Sequence, residues 1–212
     1  MLIFAMVIAG FAIPSPGLGS AGPLGGGGST SDYHALGTLS APEELIVPDI
    51  DLKAPVLPIE IAQEGDERVL TPPSDYHEVG YWVDSAKPGS PSGQTVITGH
   101  TVHTGGGVMN RLGEMRPGAL VQIKTKAGTL DYVTTKVFVY TKQQLSDHSE
   151  QLFSQKRADN RLVLVTCTGW TGSYYTSNII VFADPLGVRN SSSPSPSPSP
   201  SPSGVPAKKK AA

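Results

Sequence analysis

Between about residue 42 and residue 186 the apolar residues come in short runs, and Gly or Pro separates many of them. Val79–Val83 (VGYWV), Thr95–Thr98 (TVIT), Ala119–Lys124 (ALVQIK), Thr129–Tyr140 (TLDYVTTKVFVY), Arg161–Cys167 (RLVLVTC) and Asn178–Ala183 (NIIVFA) carry the pattern. Most are too short for stable amphipathic helices, and β-branched and aromatic residues recur in them. Glu44–Val47 and Ala54–Ile61 are β-prone as well but broken by prolines, as outer strands are. The spacing predicts a mainly β domain, a barrel or a sandwich, with Arg161–Cys167 and Asn178–Ala183 central in the sheet. Two stretches have helical character, Val108–Arg116 and Lys142–Phe153. No repeat period occurs, which excludes a solenoid or propeller.

The ends differ from this block. Gly and Pro number 24 and 19, well above the usual combined share of about 12%, and they crowd the termini. Leu2–Ile13 is an apolar run of 12 residues, shorter than the ~20 a spanning helix needs. It suits a signal peptide or short membrane anchor over 1–22, although no Lys or Arg precedes it. Residues 23–41 read as a Gly/Ser/Pro tether and 187–212 as a Ser/Pro-rich tail with a basic end. The folded domain is expected over 42–186, with the membrane touched only through the N-terminal segment.

Within that domain 17 Asp and Glu stand against 12 Lys and Arg. A net acidic surface without a basic stripe is a poor nucleic-acid binder, since phosphate contacts supply most of that affinity. Cys167 is the one cysteine, which excludes an intrachain disulfide and a multi-cysteine zinc site. A lone cysteine is most often a small buried hydrophobe. It becomes a nucleophile only where a neighbour such as an imidazole favours the thiolate.

Five histidines are available. His34 falls in the tether, His77 in a polar loop and His148 on a helical face, all positions that suit a solvated side chain. His100 and His103 lie in TVITGHTVHTGGG. His100 ends an apolar strand and Cys167 ends another, so a Cys/His pair at one sheet rim is plausible. A metal site on His100, His103 and Cys167 is disfavoured: residues i and i+3 of an extended chain face opposite ways, and no nearby carboxylate completes the set. A papain-like order is disfavoured too, because the histidine precedes the cysteine by 67 residues. Gly105-Gly106-Gly107 reads as a flexible turn, since it lacks the Lys-Ser/Thr of a phosphate loop.

The order ITGH, then VLVTC, then a short loop into NIIVFA resembles the sortase family, and LIVPDIDLKAPVLPIEI, VGYWVDSAKPGSPSGQTVITGH and VMNRLGEMRPGALVQI fit the same resemblance. It runs from about Glu43 to Pro185 and is nearest the actinobacterial-type class F sortases. The resemblance implies an eight-stranded β-barrel with one or two short helices. It also implies a monomeric extracytoplasmic cysteine transpeptidase, at the cell surface or membrane-associated, that needs no cofactor or metal. Such enzymes cleave an LPXTG-like sorting-signal peptide of surface proteins through a thioacyl-enzyme. They then transfer the protein to an amine of a peptidoglycan precursor or a pilin. By this similarity Cys167 is the nucleophile and His100 its acid/base partner.

One departure stands out. Sortases carry an Arg at the start of the strand after the cysteine, but here that stretch is Gly172–Asn178, and no Arg or Lys occurs between Cys167 and Arg189. Arg111 could swing in, or Thr168, Asn178, Tyr174 and Tyr175 could act as neutral donors. Trp170 and Tyr175 are candidates to wall the substrate groove, whereas Tyr81 and Trp82 suit packing. The missing Arg also supports an alternative: a catalytically impaired surface barrel that binds peptide signals without turnover.

Overall fold

The computed structural model describes residues 33–64 and 67–190. The expected signal peptide or anchor, the first part of the tether and the tail from 191 lie outside the described residues. In chain order the strands are β1 (Tyr33–His34), β2 (Pro42–Val47), β3 (Leu52–Ile59), β4 (Ile61–Glu64), β5 (Glu67–Leu70), β6 (Val79–Trp82), β7 (Gly93–Gly99), β8 (Leu120–Thr125) and β9 (Gly128–Thr141). Two short helices follow, α1 (Lys142–Asp147) and α2 (Ser149–Phe153), then β10 (Asn160–Trp170) and β11 (Tyr175–Arg189).

The sheet runs β1-β11-β10-β7-β6-β3-β2-β8-β9, and β9 pairs back onto β11. Setting aside the two-residue β1, eight strands therefore close into a barrel, the mainly β fold expected. β3 pairs β6 and β7 pairs β10 in parallel, while the other neighbours are antiparallel. Alternation sorts the side chains. Leu162 and Leu164 of β10 point inward with Leu45, Ile97, Ile123, Tyr132 and Val181. Val163 and Val165 point outward, where Leu145, Leu152 and Phe153 of the helices cover them. Burial on both faces explains why β10 reads as a continuous apolar run.

Several boundaries differ from the sequence reading. The helix expected over Val108–Arg116 is a loop with one 3-10 turn, Leu112–Glu114. Met109, Leu112 and Met115 are each at most 1% exposed, a spacing of three that suits the 3-10 period as well as an α-helical one. Lys142–Phe153 breaks into two helices at His148, where φ is −101° and ψ 11°. The β4/β5 hairpin was not anticipated. The fold also extends beyond 42–186: Tyr33 and His34 pair with Arg189 and Val188. Arg189 donates from Nε to Asp131 Oδ2 at 3.1 Å and from Nη2 to the Tyr33 hydroxyl at 3.0 Å. Asp131 is 2% exposed and accepts from Gln122 as well. A buried carboxylate needs such partners, and they pin both ends of the domain to the barrel wall.

Candidate active site

β7 and β10 are adjacent and parallel, with Thr98 opposite Val165 as the last paired position. His100 and Cys167 each lie two residues further on, so the same alternation that turns Thr98 and Val165 to one face turns both of these there. Strand spacing of ~4.8 Å makes them neighbours at one rim. The rim is stitched by threonines. Thr166 Oγ1 donates to the Gly99 carbonyl at 2.8 Å, and it lies 2.8 Å from Thr101 Oγ1.

The loop after His100 is held rather than loose. Asn110 accepts from the Val102 amide at 2.7 Å and donates to the Val102 carbonyl at 3.0 Å. The Met109 amide donates to the His100 carbonyl at 3.1 Å. A Cβ at Gly107 would sit 2.7 Å from the Val102 nitrogen and 2.8 Å from the His100 oxygen, so this close approach requires glycine. The expectation of a flexible turn at Gly105–Gly107 is corrected for Gly107. His100 itself is engaged: Nε2 lies 2.7 Å from the carbonyl oxygen of Pro73, which fixes an N–H at Nε2.

Cys167 was expected to end its strand, but β10 continues to Trp170. Asn178 stands opposite Cys167, Ser177 opposite Thr168 and Tyr175 opposite Trp170. Gly169 permits the continuation with φ +72°, a conformation that disfavours side-chain-bearing residues. Cys167 is 7% exposed, and burial pushes its thiol up to about 12, with Lys142 pulling weakly the other way. The resting thiol is therefore neutral. Asn178 is 3% exposed, donates from Nδ2 to the Thr166 carbonyl at 3.2 Å, and has no partner for Oδ1 among the described residues.

The candidate groove residues gather beside this pair. The Trp170 ring stacks on His103 at 4.1 Å and 6°, and lies 5.0 Å from the Tyr175 ring. Burial, and then the neighbouring Cys167, raise the Tyr175 hydroxyl above its usual range. Tyr174 is exposed at the hairpin tip.

Arg111 is not brought in. Its Nε and Nη2 donate to the Glu114 carboxylate and Nη1 to the Ile50 carbonyl at 3.0 Å. Arg161, at the far end of β10, donates to Gln94 and the Gln151 carbonyl and stacks on Phe182 at 3.7 Å. Lys142 was overlooked: it follows β9, far from Cys167 in sequence, and only the pairing of β9 with β11 discloses its position. Among the described residues no three His, Cys, Asp or Glu side chains converge as a metal site requires. No described helix is long and apolar enough to cross a membrane.

A family profile described as a sortase domain matches residues 45–186, about two thirds of the chain. Sortase A from Corynebacterium diphtheriae superposes with a TM-score of 0.56 and 17% identity, over 73% of this chain and 64% of its own. Sortase C1 from Streptococcus suis gives 0.52 and 23% over 68% and 72%, and sortase C-1 from Actinomyces oris 0.52 and 17% over 67% and 70%. At these identities the likeness concerns the fold. No curated protein matches the sequence.

Proposed function

The chain belongs to the sortase family of cysteine transpeptidases, and we propose that Cys167 and His100 are its catalytic pair, acting on an LPXTG-like sorting signal. The observation that carries this is the parallel pairing of β7 with β10, whose last paired position, Thr98 opposite Val165, leaves His100 and Cys167 level two residues further on. Sulfur attacks the carbonyl carbon of the signal's threonine, and the thiol proton passes to the imidazole. The Thr–Gly amide bond then breaks as His100 returns a proton to the departing amine. An incoming amine, from a peptidoglycan precursor or a pilin, attacks the thioester. It loses its proton to His100 and restores the thiol. Because Nε2 is engaged with Pro73, that segment must yield before Nε2 serves as donor to substrate.

Asn178 and Thr168 are the neutral donors for the oxyanion in this reading, and Trp170 with Tyr175 walls the groove. Arg111 would first have to leave Glu114. Within the family, the order of ITGH, VLVTC and NIIVFA is nearest class F. The domain works outside the membrane.

A binding barrel without turnover is favoured by the missing Arg after Cys167 and by the buried thiol, which burial pushes up to about 12. A peptide-cleavage assay on the full chain, with triglycine as acceptor, separates the two. The transpeptidase reading predicts no product from Cys167→Ala and a rate lowered by about 10²–10⁴ in His100→Gln. Wild-type binding without cleavage across an LPXTG-type library would favour the binding barrel.

A further inference from the structure

We propose that Lys142 is the cation of this site, its ammonium facing Cys167 and stabilising negative charge on the sulfur. The proposal rests on Cys167 being the nucleophile, and the observations behind it are positional. Tyr140 of β9 stands opposite Asn178 of β11, which stands opposite Cys167 of β10. These three residues form one row across three strands and turn the same face outward. Lys142 lies two positions beyond Tyr140, at the first residue of α1. The capping box holds this corner: Thr141 accepts from the Gln144 amide at 3.2 Å, and the Gln144 side chain accepts from the Thr141 amide at 2.9 Å. From there the four-carbon stem carries Nζ to 6.0 Å from the ring centroid of Tyr174, on the hairpin that follows Cys167. The ammonium is thus directed towards β10 and its hairpin, and its electrostatic effect on the thiol agrees with that placement.

The arginines that sequence position would offer are committed elsewhere: Arg111 to Glu114, Arg161 to Gln94 and Arg189 to Asp131. The other titratable groups on this face include His100 just beyond β7, His103 stacked on Trp170, Tyr174 and Tyr175 of the hairpin, and Tyr140 with His148 stacked on it at 4.7 Å. None of these carries a permanent positive charge. When sulfur attacks an acyl carbon, negative charge passes from the sulfur to the carbonyl oxygen, and a nearby ammonium lowers the cost of both.

The test uses a reaction that needs no sorting signal. Alkylation of Cys167 by iodoacetamide is followed by intact mass from pH 6 to 10 in the full chain and in Lys142→Gln, Lys142→Arg and Lys142→Glu. Thermal melts confirm that each variant is folded. The expected result is a rate lowered by roughly two- to fivefold in Lys142→Gln, as for an exposed charge pair, with Lys142→Arg near wild type and Lys142→Glu slowest. Raising the salt to about 1 M should shrink the difference, because a Coulombic effect through solvent is screened. Equal rates in Lys142→Gln and wild type overturn the proposal, as does a loss in Lys142→Arg equal to that in Lys142→Gln. A Lys142-dependent rate in a chain that cleaves no peptide upholds the Lys142 contact and counts against the transpeptidase reading instead.

Discussion

Cys167 is held as a neutral thiol by burial, and this sets its reactivity and its link to stability. A thiol pushed up to about 12 has little thiolate at pH 7, so iodoacetamide should label it more slowly than free cysteine, with a rate still climbing above pH 9. A plateau near pH 8 would contradict the burial seen here. The linkage has a definite sign. The folded value lies above the unfolded one of ~8.5, so the contribution to stability is full below pH 8.5 and is lost as pH rises towards about 12. Each unit of that rise removes up to about 1.4 kcal/mol. Urea melts at pH 8 and pH 10.5 should therefore show a smaller loss of stability in Cys167→Ala than in the wild type. His100 and Cys167 could be singled out in the sequence because each ends an apolar run before a Gly-containing loop. The Pro73 contact and the Lys142 position could not, since each depends on segments far apart in sequence.

At the scale of elements, β10 was legible because burial on both faces leaves a continuous apolar signature. Its end was not: Thr168-Gly169-Trp170 looks like a loop, and only pairing with Tyr175–Ser177 makes it strand. Met109, Leu112 and Met115 gave the helix period over a stretch that forms a single 3-10 turn, because residues three apart also share a face there. The β4/β5 hairpin escaped notice because it follows β3 almost without a break. Arg161 illustrates how the helical cover is held. Its guanidinium joins β7 at Gln94 to α2 at the Gln151 carbonyl, over the face of Phe182. Arg161→Met keeps the stem but leaves both acceptors unpaired. It should cost about 2–3 kcal/mol in urea denaturation, and an unchanged midpoint would show that the helices are held by apolar packing alone.

For the whole molecule, closure of β9 onto β11 makes the barrel, and the Asp131–Arg189–Tyr33 cluster fastens the chain where it passes beyond the residues expected to fold. Arg189→Met leaves a buried carboxylate uncompensated and should cost about 3–5 kcal/mol. Adding Asp131→Asn should recover part of that loss, and a double variant as unstable as the single one would show that the ion pair is not the source. The same closure brings the end of β9, the start of β11 and the end of β10 to one rim, where the proposed chemistry lies. The most direct test of that chemistry is intact-mass spectrometry of the full chain incubated with LPXTG-type peptides and no acceptor amine. The account predicts a mass gain equal to the peptide acyl portion up to threonine, mapped to Cys167, absent from Cys167→Ala and discharged by triglycine. A wild-type protein that binds the peptides yet never gains that mass would contradict it.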